Sequence, residues 1–396
     1  MSPVSVSEVV MMKRSGFLSG KIMVLAILFL VFVSVLPGWA AGAVSGPSVW
    51  EIETVDNSIG DNTTALNPSL VWGNDGIAHI SYYDGNGRIR YAVMDNGKWA
   101  TKTVAFTSGT MSTSMAIDAS GNPAVVFGNG LHFGNLMYAF PAGKGWTEML
   151  VDNGNSSLAN VGQHSSLAFD SAGVPHIAYN NGNHFASLQY VTRNATSWDL
   201  TVVDRGSTIL GDTGYDPSMV MDPAGKPFIA YRDGKHYATL MAAHQNVSGT
   251  WNITKVDNGG SMTADTGYYP SVALDSAGYP YISYYDADNG NLRYASWDGT
   301  TWKLETLDAK GDVGAYSSLA IDSHNQPYIS YYDATTHTLR FTTKNPATQR
   351  WVFWTIDEGN VGTWTSLALD PLGHPSVAYY DAANHALKYA GWTWTG

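Results

Sequence analysis

The sequence predicts an all-β fold, a seven-bladed β-propeller with four antiparallel strands in each blade. Three observations predict it. One segment recurs seven times, at intervals of 45 to 53 residues. Each copy contains four short runs of alternating apolar and polar residues, separated by turn-forming residues. The fourth run carries a Trp whose distribution along the chain is typical of a closed ring.

The repeat is aligned on a serine, the first residue of the segment Ser-Val-Ala-Leu-Asp at 271–275. Repeats of this length with four strands each form propeller blades, because one blade cannot bury its faces without neighbours. The equivalent anchor serines are Ser69, Ser114, Ser166, Ser218, Ser271, Ser318 and Ser366.

The clearest copy runs from Ser271 to Asp308 and predicts four strands in order: SVALD, YISYYD, LRYASW and WKLETLD. The segments Asp-Ser-Ala-Gly, Asp-Asn-Gly and Asp-Gly-Thr separate them as turns. The composition agrees, since 41 Gly, 23 Tyr and 14 Trp accompany only 14% charged residues. Aromatic residues pack well on pleated sheets, and Gly supplies tight turns.

The two ends of the chain indicate how the ring closes. A Trp stands six residues before the end of the fourth strand in six copies: Trp99, Trp146, Trp198, Trp251, Trp302 and Trp351. The seventh, Trp50, opens the segment WEIETVD, whereas the last repeat has no fourth strand of its own. We therefore expect the N-terminal strand, Trp50 to Asp56, to complete the seventh blade.

These repeats resemble those of secreted β-propeller proteins of archaeal and bacterial cell surfaces, which carry the same Asp-x-x-Gly-x-Pro and Ser-Tyr-Tyr-Asp signatures. The resemblance covers residues 50–394 and implies the fold, but propellers host lectins, lyases, hydrolases and docking platforms. The segment from Ser296 to Trp302 has a more distant resemblance to the Asp-box of sialidase-type propellers, one residue short. That family's arginine triad has no evident counterpart, since the basic residues of one repeat position indicate a structural role: Arg90, Arg293, Arg340 and Lys388.

Charge and cysteine content exclude several classes of function. The formal net charge of −12 argues against nucleic acid or an anionic membrane as partner, because both require basic patches. The absence of cysteine excludes disulfides, cysteine nucleophiles and thiolate metal sites. We expect a monomer. Five sequons are compatible with an extracellular glycoprotein: Asn62, Asn155, Asn194, Asn246 and Asn252.

The first 43 residues predict a secretory signal peptide, followed by the propeller at 44–396. Lys13, Arg14 and Lys21 precede an apolar run from residue 22 to residue 36, and the small-residue segment Ala-Gly-Ala ends at residue 43. The alternative is an uncleaved anchor, since residues 22–44 are long enough to cross a bilayer. No later segment is apolar enough to cross one. We therefore expect a secreted protein, extracellular or associated with the cell surface.

Two series of aspartates recur in the repeat. The first ends the first strand before an x-x-Gly-x-Pro turn, where Asp caps the turn through backbone N–H groups. The second ends the second strand, on the face where propellers usually bind ligands, so both turn capping and ligand binding remain open for it. The second series comprises Asp84, Asn129, Asn181, Asp233, Asp286, Asp333 and Asp381. The segment Asp286 to Gly290 resembles a calcium loop but lacks the remaining acidic ligands, so calcium is only a weak alternative and no cofactor is assigned.

Histidines break the symmetry of the repeat. Blades two, three and four each carry a His followed by an aromatic residue in the loop after the second strand: His132, His184 and His236. Three histidines on adjacent blades suggest zinc, because imidazole is a common zinc ligand. However, equivalent positions on neighbouring blades are expected to be roughly 10 Å apart, too far for one ion. Separate ligand subsites or simple duplication of a blade fit better than a metal centre.

The segments that enter the blades provide an aromatic rim. The entries to blades three, four and five are long, and seven candidate residues lie near the blade entries: His164, Tyr215, Asp216, Tyr268, Tyr269, Tyr316 and Trp364. Aromatic faces with carboxylates suit sugar rings and their hydroxyls, although a Tyr-rich repeat also yields such a rim without selection. We predict a ligand site over blades two to five, formed by His132, His184, His236, Tyr215, Tyr268, Tyr269, Asp233 and Asp286.

The function predicted from the sequence is an extracellular binding or surface-structural protein that recognises a glycan or a protein partner on one face. No Gly-x-Ser-x-Gly elbow, His-Glu-x-x-His motif or phosphate loop is present. The alternative is a carbohydrate-active enzyme, a glycoside hydrolase or polysaccharide lyase. Several acids and a His in one deep axial pocket would favour the enzyme, whereas shallow equivalent sites on successive blades would favour a lectin.

Overall fold

The structure is a computed structural model that describes residues 49–60, 66–107, 112–130, 134–154, 161–182, 186–206, 213–234, 238–260 and 264–393. These residues form seven four-stranded antiparallel sheets, in agreement with the predicted seven-bladed β-propeller. The expected signal segment lies outside the described residues. Within the described ranges, no helix is long and apolar enough to cross a membrane.

The first three blades follow the chain order. Blade one contains β2 (Ser69–Trp72), β3 (Ala78–Tyr83), β4 (Arg88–Asp95) and β5 (Lys98–Phe106). Blade two contains β6 (Thr113–Ile117), β7 (Pro123–Asn129), β8 (Asn135–Ala142) and β9 (Gly145–Asp152). Blade three contains β10 (Val161–Phe169), β11 (Pro175–Asn181), β12 (Ser187–Arg193) and β13 (Trp198–Asp204).

The next three blades continue the same pattern. Blade four contains β14 (Thr213–Met221), β15 (Pro227–Asp233), β16 (Thr239–Gln245) and β17 (Trp251–Asp257). Blade five contains β18 (Thr266–Leu274), β19 (Pro280–Asp286), β20 (Asn291–Trp297) and β21 (Trp302–Asp308). Blade six contains β22 (Val313–Ile321), β23 (Pro327–Asp333), β24 (Thr338–Lys344) and β25 (Trp351–Asp357).

Blade seven confirms the predicted ring closure. It contains β26 (Val361–Leu369), β27 (Pro375–Asp381), β28 (Ala386–Thr393) and, as its outer strand, β1 (Val49–Asp56) from the N-terminal side of the chain. The pairing is antiparallel, with Trp50 opposite Trp392 and Glu53 opposite Tyr389. The Trp50 ring packs 5.0 Å from that of Phe341 in blade six. The N-terminal strand thus joins both ends of the chain in one sheet.

The hydrophobic core is divided among the seven seams between blades. Each of the seven buried clusters contains residues of two neighbouring blades, for example Ile89 of blade one with Val125 of blade two. The repeated Trp takes part: Trp146 packs edge-on against Tyr91 of the preceding blade, with ring centroids 5.2 Å apart. A blade therefore buries its apolar faces only against its neighbours, as the repeat pattern predicts.

The anchor serines recur because each one links the first strand of its blade to the first strand of the next blade. Each Ser Oγ accepts the backbone N–H of the residue after the anchor serine in the following blade; Ser69 Oγ, for example, accepts from Met115 at 3.0 Å. The last bond closes the circle, since Ser366 Oγ accepts the N–H of Leu70 at 2.9 Å. The remaining acceptors are Ser114, Ser166, Ser218, Ser271 and Ser318. The hydroxyls thereby pair backbone donors that face a neighbouring sheet rather than a strand.

A second repeated contact, here called the seam latch, joins a Tyr in the second strand to an Asp at the end of the preceding blade's fourth strand. Tyr179 Oη donates to Asp152 Oδ2 at 2.6 Å in a buried position. The other five latches are Tyr82–Asp56, Tyr231–Asp204, Tyr284–Asp257, Tyr331–Asp308 and Tyr379–Asp357. At the seam between blades one and two, Ala105 and Phe127 replace both partners. The paired change leaves no buried carboxylate without its donor.

Candidate functional site

The first strands of neighbouring blades contact one another around the ring and enclose a cavity of about 220 Å³ at their N-terminal ends. Its lining comes from all seven blades, mostly from the anchor serine and the two residues before it. The residue two positions before the anchor serine differs in size, polarity and charge from blade to blade. Its seven occupants, here called the mouth ring, are Asn67, Ser112, His164, Asp216, Tyr269, Tyr316 and Trp364.

In blades three to seven, bulges in the first strand help to aim these side chains. Pairing between first and second strands shifts register at this point, for example between Tyr268 and Ser271 and between Thr363 and Ser366. A bulge re-aims a side chain and is common beside functional sites. Five members of the mouth ring have φ between 33° and 56°, values that side chains other than Gly rarely adopt: Asn67, Asp216, Tyr269, Tyr316 and Trp364. The same strained conformation is thus maintained for very different side chains, which is typical of functional positions.

Blades five to seven supply an aromatic arc. The Tyr316 ring lies between two others, with centroids 4.4 Å from Tyr269 and 4.3 Å from Trp364. Tyr269 and Trp364 also meet edge to face at 6.1 Å. Burial, and then the neighbouring Tyr316 and Asp216, raise the pKa of Tyr269 far above its ordinary value. The Tyr269 hydroxyl is therefore a neutral hydrogen-bond donor at any physiological pH.

Blades three and four supply an ion pair, with His164 Nδ1 2.8 Å from Asp216 Oδ1. Burial opposes the charged form of His164, but the Asp216 carboxylate outweighs it and raises the pKa of His164 above 6.5. Burial likewise opposes ionisation of Asp216, yet His164, Arg232 and the backbone N–H of Tyr269 hold its pKa below 3.8. Each group therefore favours the charged form of the other, and the pair places a carboxylate and an imidazole ring at the cavity.

Arg232 lies close to this pair, and it is the one basic residue at its position in the repeat. The corresponding residue is Tyr in blades one, five, six and seven. Its guanidinium carbon lies 4.7 Å from the ring centroid of Tyr215 and 4.0 Å from that of Tyr268, a cation–π arrangement. The two rings fix this cation next to Asp216, where it contributes to the low pKa of the carboxyl.

The residues predicted for the ligand site do not lie together in the structure. Tyr269 lines the axial cavity, whereas Tyr215 and Tyr268 flank Arg232. The Tyr268 hydroxyl donates to Asp265 Oδ2 at 2.9 Å. Asp233 is partly buried at the end of β15, directly after Arg232. His132, His184 and His236 lie outside the described residues.

Asp286 is almost fully buried under the loop that follows β19. Its Oδ2 accepts a hydrogen bond from Asn289 at 3.0 Å and lies 3.5 Å from Arg293 Nη1. Asp333 and Asp381 are also buried and accept backbone N–H groups of their own turns. These members of the second aspartate series cap turns, and none of them lines the axial cavity.

The basic residues of the repeat have the structural role that the sequence predicts. Arg293 Nη2 lies 3.2 Å from the latch carboxylate Asp257, and Lys388 Nζ lies 2.8 Å from Asp381. The first aspartate series also caps turns as predicted; Asp170 Oδ1, for example, accepts the N–H of Val174 at 2.8 Å. Over the residues that the structure describes, no group of three or more His, Asp or Glu side chains is placed to hold a metal ion.

Sequence reasoning found most of the mouth ring but not its organisation. His164, Asp216, Tyr316 and Trp364 were expected near the blade entries, whereas the contributions of Asn67 and Ser112 and the role of Arg232 were missed. One signal could have found Asn67 and Ser112: the repeat position two residues before the constant serine holds a polar or aromatic residue in all seven copies, with six different residue types. No such signal marks Arg232. The axial cavity is lined by residues of all seven blades, whereas the predicted ligand sector comprised blades two to five.

Comparison of the chain with protein-family models and with curated proteins returns no match. Solved structures do match. A polysaccharide lyase, an ulvan lyase solved with a bound repeat of glucuronic acid and sulfated rhamnose, has a TM-score of 0.63 at 14% identity, covering 86% of this chain and 95% of the lyase. A lectin from Burkholderia pseudomallei has a TM-score of 0.63 at 12% identity, covering 83% and 96%.

An α-L-arabinofuranosidase of Fusarium graminearum, solved with arabinobiose, has a TM-score of 0.50 at 12% identity, covering 72% of this chain and 92% of the enzyme. At identities this low, the structural similarity establishes only that these proteins share the fold of this chain. The fold includes both binding proteins and enzymes, so the function has to be argued from the mouth ring itself.

Proposed function

We propose that this protein is an extracellular glycan-binding propeller whose binding site is the axial cavity bounded by the mouth ring. The observation that carries the proposal is the asymmetry of the ring. Aromatic rings occupy three consecutive blades, and hydrogen-bonding groups occupy the other four. Sugar rings present apolar C–H faces and polar hydroxyl edges, so a saccharide unit matches both halves.

The chemistry of each half supports this assignment. Tyr316 and Trp364 offer ring faces to an apolar sugar face, while the Asp216 carboxylate accepts hydroxyl protons. A ring N–H of His164 and the neutral Tyr269 hydroxyl donate to sugar oxygens. A cavity of about 220 Å³ suits one sugar unit with its neighbours extending into solvent. The ulvan lyase and the arabinofuranosidase, which share the fold, were both solved with a saccharide bound.

A glycan array followed by calorimetric titration of the strongest oligosaccharide tests the proposal. The informative variants are Tyr316→Asn and Trp364→Asn, since blade one already has Asn67 at this position with φ of 33°. Asn tolerates positive φ, so the backbone strain is not increased. Each variant should weaken binding about tenfold, the equivalent of one lost aromatic contact.

The matched control is Tyr279→Ala. Tyr279 is 41% exposed in the turn between β18 and β19 and does not line the cavity. The control should bind as the parent protein does. Parent-like binding by both ring variants, with unchanged melting temperatures, would show that any glycan binds elsewhere.

The second candidate function is polysaccharide cleavage, and the His164–Asp216 pair is the specific observation that favours it. The pair resembles an oriented acid/base group, and the Tyr269 side chain, whose pKa Asp216 helps to raise, lines the same cavity. Two facts weigh toward binding. The raised pKa of His164 favours its protonated form, and a protonated imidazole cannot act as a general base. Asp216 is the one carboxylate among the described residues that line the cavity, whereas glycoside hydrolysis normally uses two.

Digestion of a polysaccharide panel from pH 5 to pH 10 discriminates the two functions. A lyase that uses His164 as its base would gain activity as pH rises through the raised pKa of that residue. The binding function predicts no cleavage product at any pH. Product formation that is abolished in His164→Ser would establish the enzyme instead; Ser is the residue of blade two at this position.

We also propose that the chain is exported and that its mature form begins near Val44 and is a monomer. The basic residues, apolar run and small-residue segment of the first 43 residues support export. N-terminal sequencing of secreted material should find residue 44 first. An intact Met1 in the membrane fraction would instead identify the segment as an anchor.

A further inference from the structure

A second cavity, of about 250 Å³, lies at the seam between blades seven and one. It is formed by strands β27, β28 and β1 of blade seven together with Trp72 and Met94 of blade one. It shares no residue with the axial cavity. Because the same repeat builds all seven seams, a cavity at this seam has to come from residues that are particular to blades seven and one.

Two small residues in blade seven open the space. Ser376 on β27 pairs directly with Gly391 on β28, and Gly391 pairs with Glu51 on β1. In blades five and six the first two places of this cross-strand row hold Tyr281 with Ser296 and Tyr328 with Thr343. Blades one, three and four have a ring at the first place: His79, His176 and Phe228.

Blade two follows the same rule with the ring on the other strand, since it has Ala124 in the second strand and Phe140 in the third. Blade seven is therefore the one blade in which neither strand supplies a ring or other bulky side chain to this row. The absence of a Cβ at Gly391 matters too, because that atom would lie 3.1 Å from Cε1 of Tyr389. Small residues at both places leave space at this seam that a ring or another large side chain occupies in the other blades.

The neighbouring blade fixes the opposite wall. Trp72 stands where the other first strands have Leu, Ile, Met or Phe, and its Nε1 donates to Ser376 Oγ at 2.8 Å. This bond holds the indole against the small pair rather than inside the remaining space. Tyr389 and Trp392 add two further aromatic side chains to the lining. The cavity is thus bounded by ordered ring systems on both sides of the seam.

The polar lining is acidic. Glu51 and Glu53 are exposed on the same face of β1, and Asp370 lies at the turn before β27. Glu53 accepts a hydrogen bond from Trp99 Nε1 at 3.0 Å, and Asp370 Oδ2 lies 3.0 Å from His374 Nδ1. No Lys or Arg is among the described residues that line the cavity. Three carboxylates beside aromatic faces accept hydroxyl and ammonium protons and repel anions.

We infer that the seam between blades seven and one is a second saccharide site, which accepts a neutral or amino sugar ring and rejects uronates and sulfated sugars. The inference stands on the seam cavity alone and does not require the proposed axial site. It predicts a protein with two sites of different charge preference. His164 and Arg232 lie at or beside the axial cavity. The titratable groups among the described residues of the seam cavity are three carboxylates, one Tyr and one His that is paired with a carboxylate.

The test uses saturation-transfer NMR and calorimetry on the full chain carrying Tyr316→Asn and Trp364→Asn, so that the axial aromatic arc does not contribute. The probes are glucosamine, methyl glucoside and glucuronic acid at up to roughly 10 mM, the range in which single sugars bind. Glucosamine should bind most strongly, methyl glucoside less, and glucuronic acid at least tenfold more weakly than glucosamine. No binding of the first two probes, or glucuronic acid as the strongest ligand, would overturn the inference.

Two variants that copy other blades test the residues. Trp72→Ile with Ser376→Tyr reproduces the seam between blades five and six, where Tyr281 and Ile321 pack in one buried cluster. This double variant should keep its melting temperature and lose the binding of glucosamine at least tenfold. Unchanged binding with a filled seam would overturn the inference.

Glu51→Lys copies Lys303, the residue of blade five at this position, and keeps the cavity open. It should weaken glucosamine binding about tenfold and strengthen glucuronic acid binding. Glu358→Lys, the same charge change at an exposed position outside the cavity, is the control and should change neither. Equal behaviour of the two Glu variants would overturn the assigned charge preference, and it does so even if the filled variant fails to fold.

Discussion

The seams between blades and the mouth ring are built from the same repeat but use it in opposite ways. At the seams, six latches of identical chemistry recur, and the one exception changes both partners together, to Ala105 and Phe127. At the mouth ring, one repeat position carries Asn, Ser, His, Asp, two Tyr and Trp. A buried carboxylate without its donor costs free energy, so seam residues can change only in pairs. At the mouth ring the contacts differ from blade to blade, such as the ion pair of His164 with Asp216 and the packing of Tyr316 on Trp364, so no single pair fixes the chemistry of this position.

The largest effect is expected from removing the strand that closes the ring. Deletion of residues 49–56 removes Trp50 from its contacts with Phe341 and Trp392 and leaves Tyr82 without its latch acceptor. We expect a loss of about 5 kcal/mol or more in unfolding free energy, since the packing of one partly buried Trp and a buried hydrogen bond are lost together with a whole strand. Thermal unfolding followed by circular dichroism measures it. Deletion of residues 1–43 is the control, and equal melting temperatures for the two truncations would contradict a structural role for β1.

The latches themselves should show a smaller and strongly coupled effect. Tyr179→Phe leaves the buried Asp152 carboxylate without its hydroxyl donor and should cost about 2 kcal/mol, as should Asp152→Ala. The double variant copies the seam between blades one and two, so it should cost less than the sum by about 1 kcal/mol. Urea unfolding of the four proteins completes the cycle. Strict additivity would mean that the hydrogen bond contributes nothing to the seam.

The mouth ring should respond to pH rather than to loss of packing. The pKa of His164 is raised above 6.5 in the folded protein, so its contribution to stability is complete below that value and disappears as pH rises through the folded pKa. The pKa of Asp216 is lowered below 3.8, so its contribution is present above 3.8 and disappears as pH falls through its folded pKa. The stability difference between the parent and His164→Ser should therefore be largest between these limits, at about 1 to 3 kcal/mol, because the substitution leaves a mostly buried carboxylate without one of its partners.

A second substitution sharpens this prediction. Asp216→Asn copies Asn67 of blade one and removes the negative charge, while burial and Arg232 still oppose the imidazolium. The pKa of His164 should then fall below 6.5, as read from the imidazole proton shifts in an NMR titration. A pKa that stays above 6.5 in Asp216→Asn would show that another group raises it.

The smallest effect on stability is expected from the predicted histidine loops. The triple variant with His132, His184 and His236 replaced by Ala should change unfolding free energy by no more than about 0.5 kcal/mol, the usual range for exposed loop positions. Glycan binding should weaken if these loops contribute to the site. Unfolding of the triple variant would show that the histidines are structural, and unchanged binding would confine the site to the mouth ring.

The seven blades, the four strands in each and the closing N-terminal strand were predicted correctly, because alternation, turn residues and the Trp register are local signals. The recurrence of Ser69 and its equivalents was visible, but their hydrogen bonds to the next blade were not. The same holds for Tyr179 and Asp152, which are 27 residues apart in sequence and recognisable as partners only once the packing of neighbouring blades is known.

The site divides in the same way. By itself, the sequence determined that aromatic and acidic residues gather before the inner strands, and that the histidine loops make blades two to four exceptional. Only the tertiary structure decided that His164 meets Asp216 across a seam and that Trp364 lies against Tyr316, within one cavity. Only the tertiary structure, likewise, places Ser376 opposite Gly391 in the sheet, where the two small residues leave room for a cavity. The physical reason is that ring closure brings one residue from every repeat to a common axis, and no period within a single repeat encodes which neighbours will meet there.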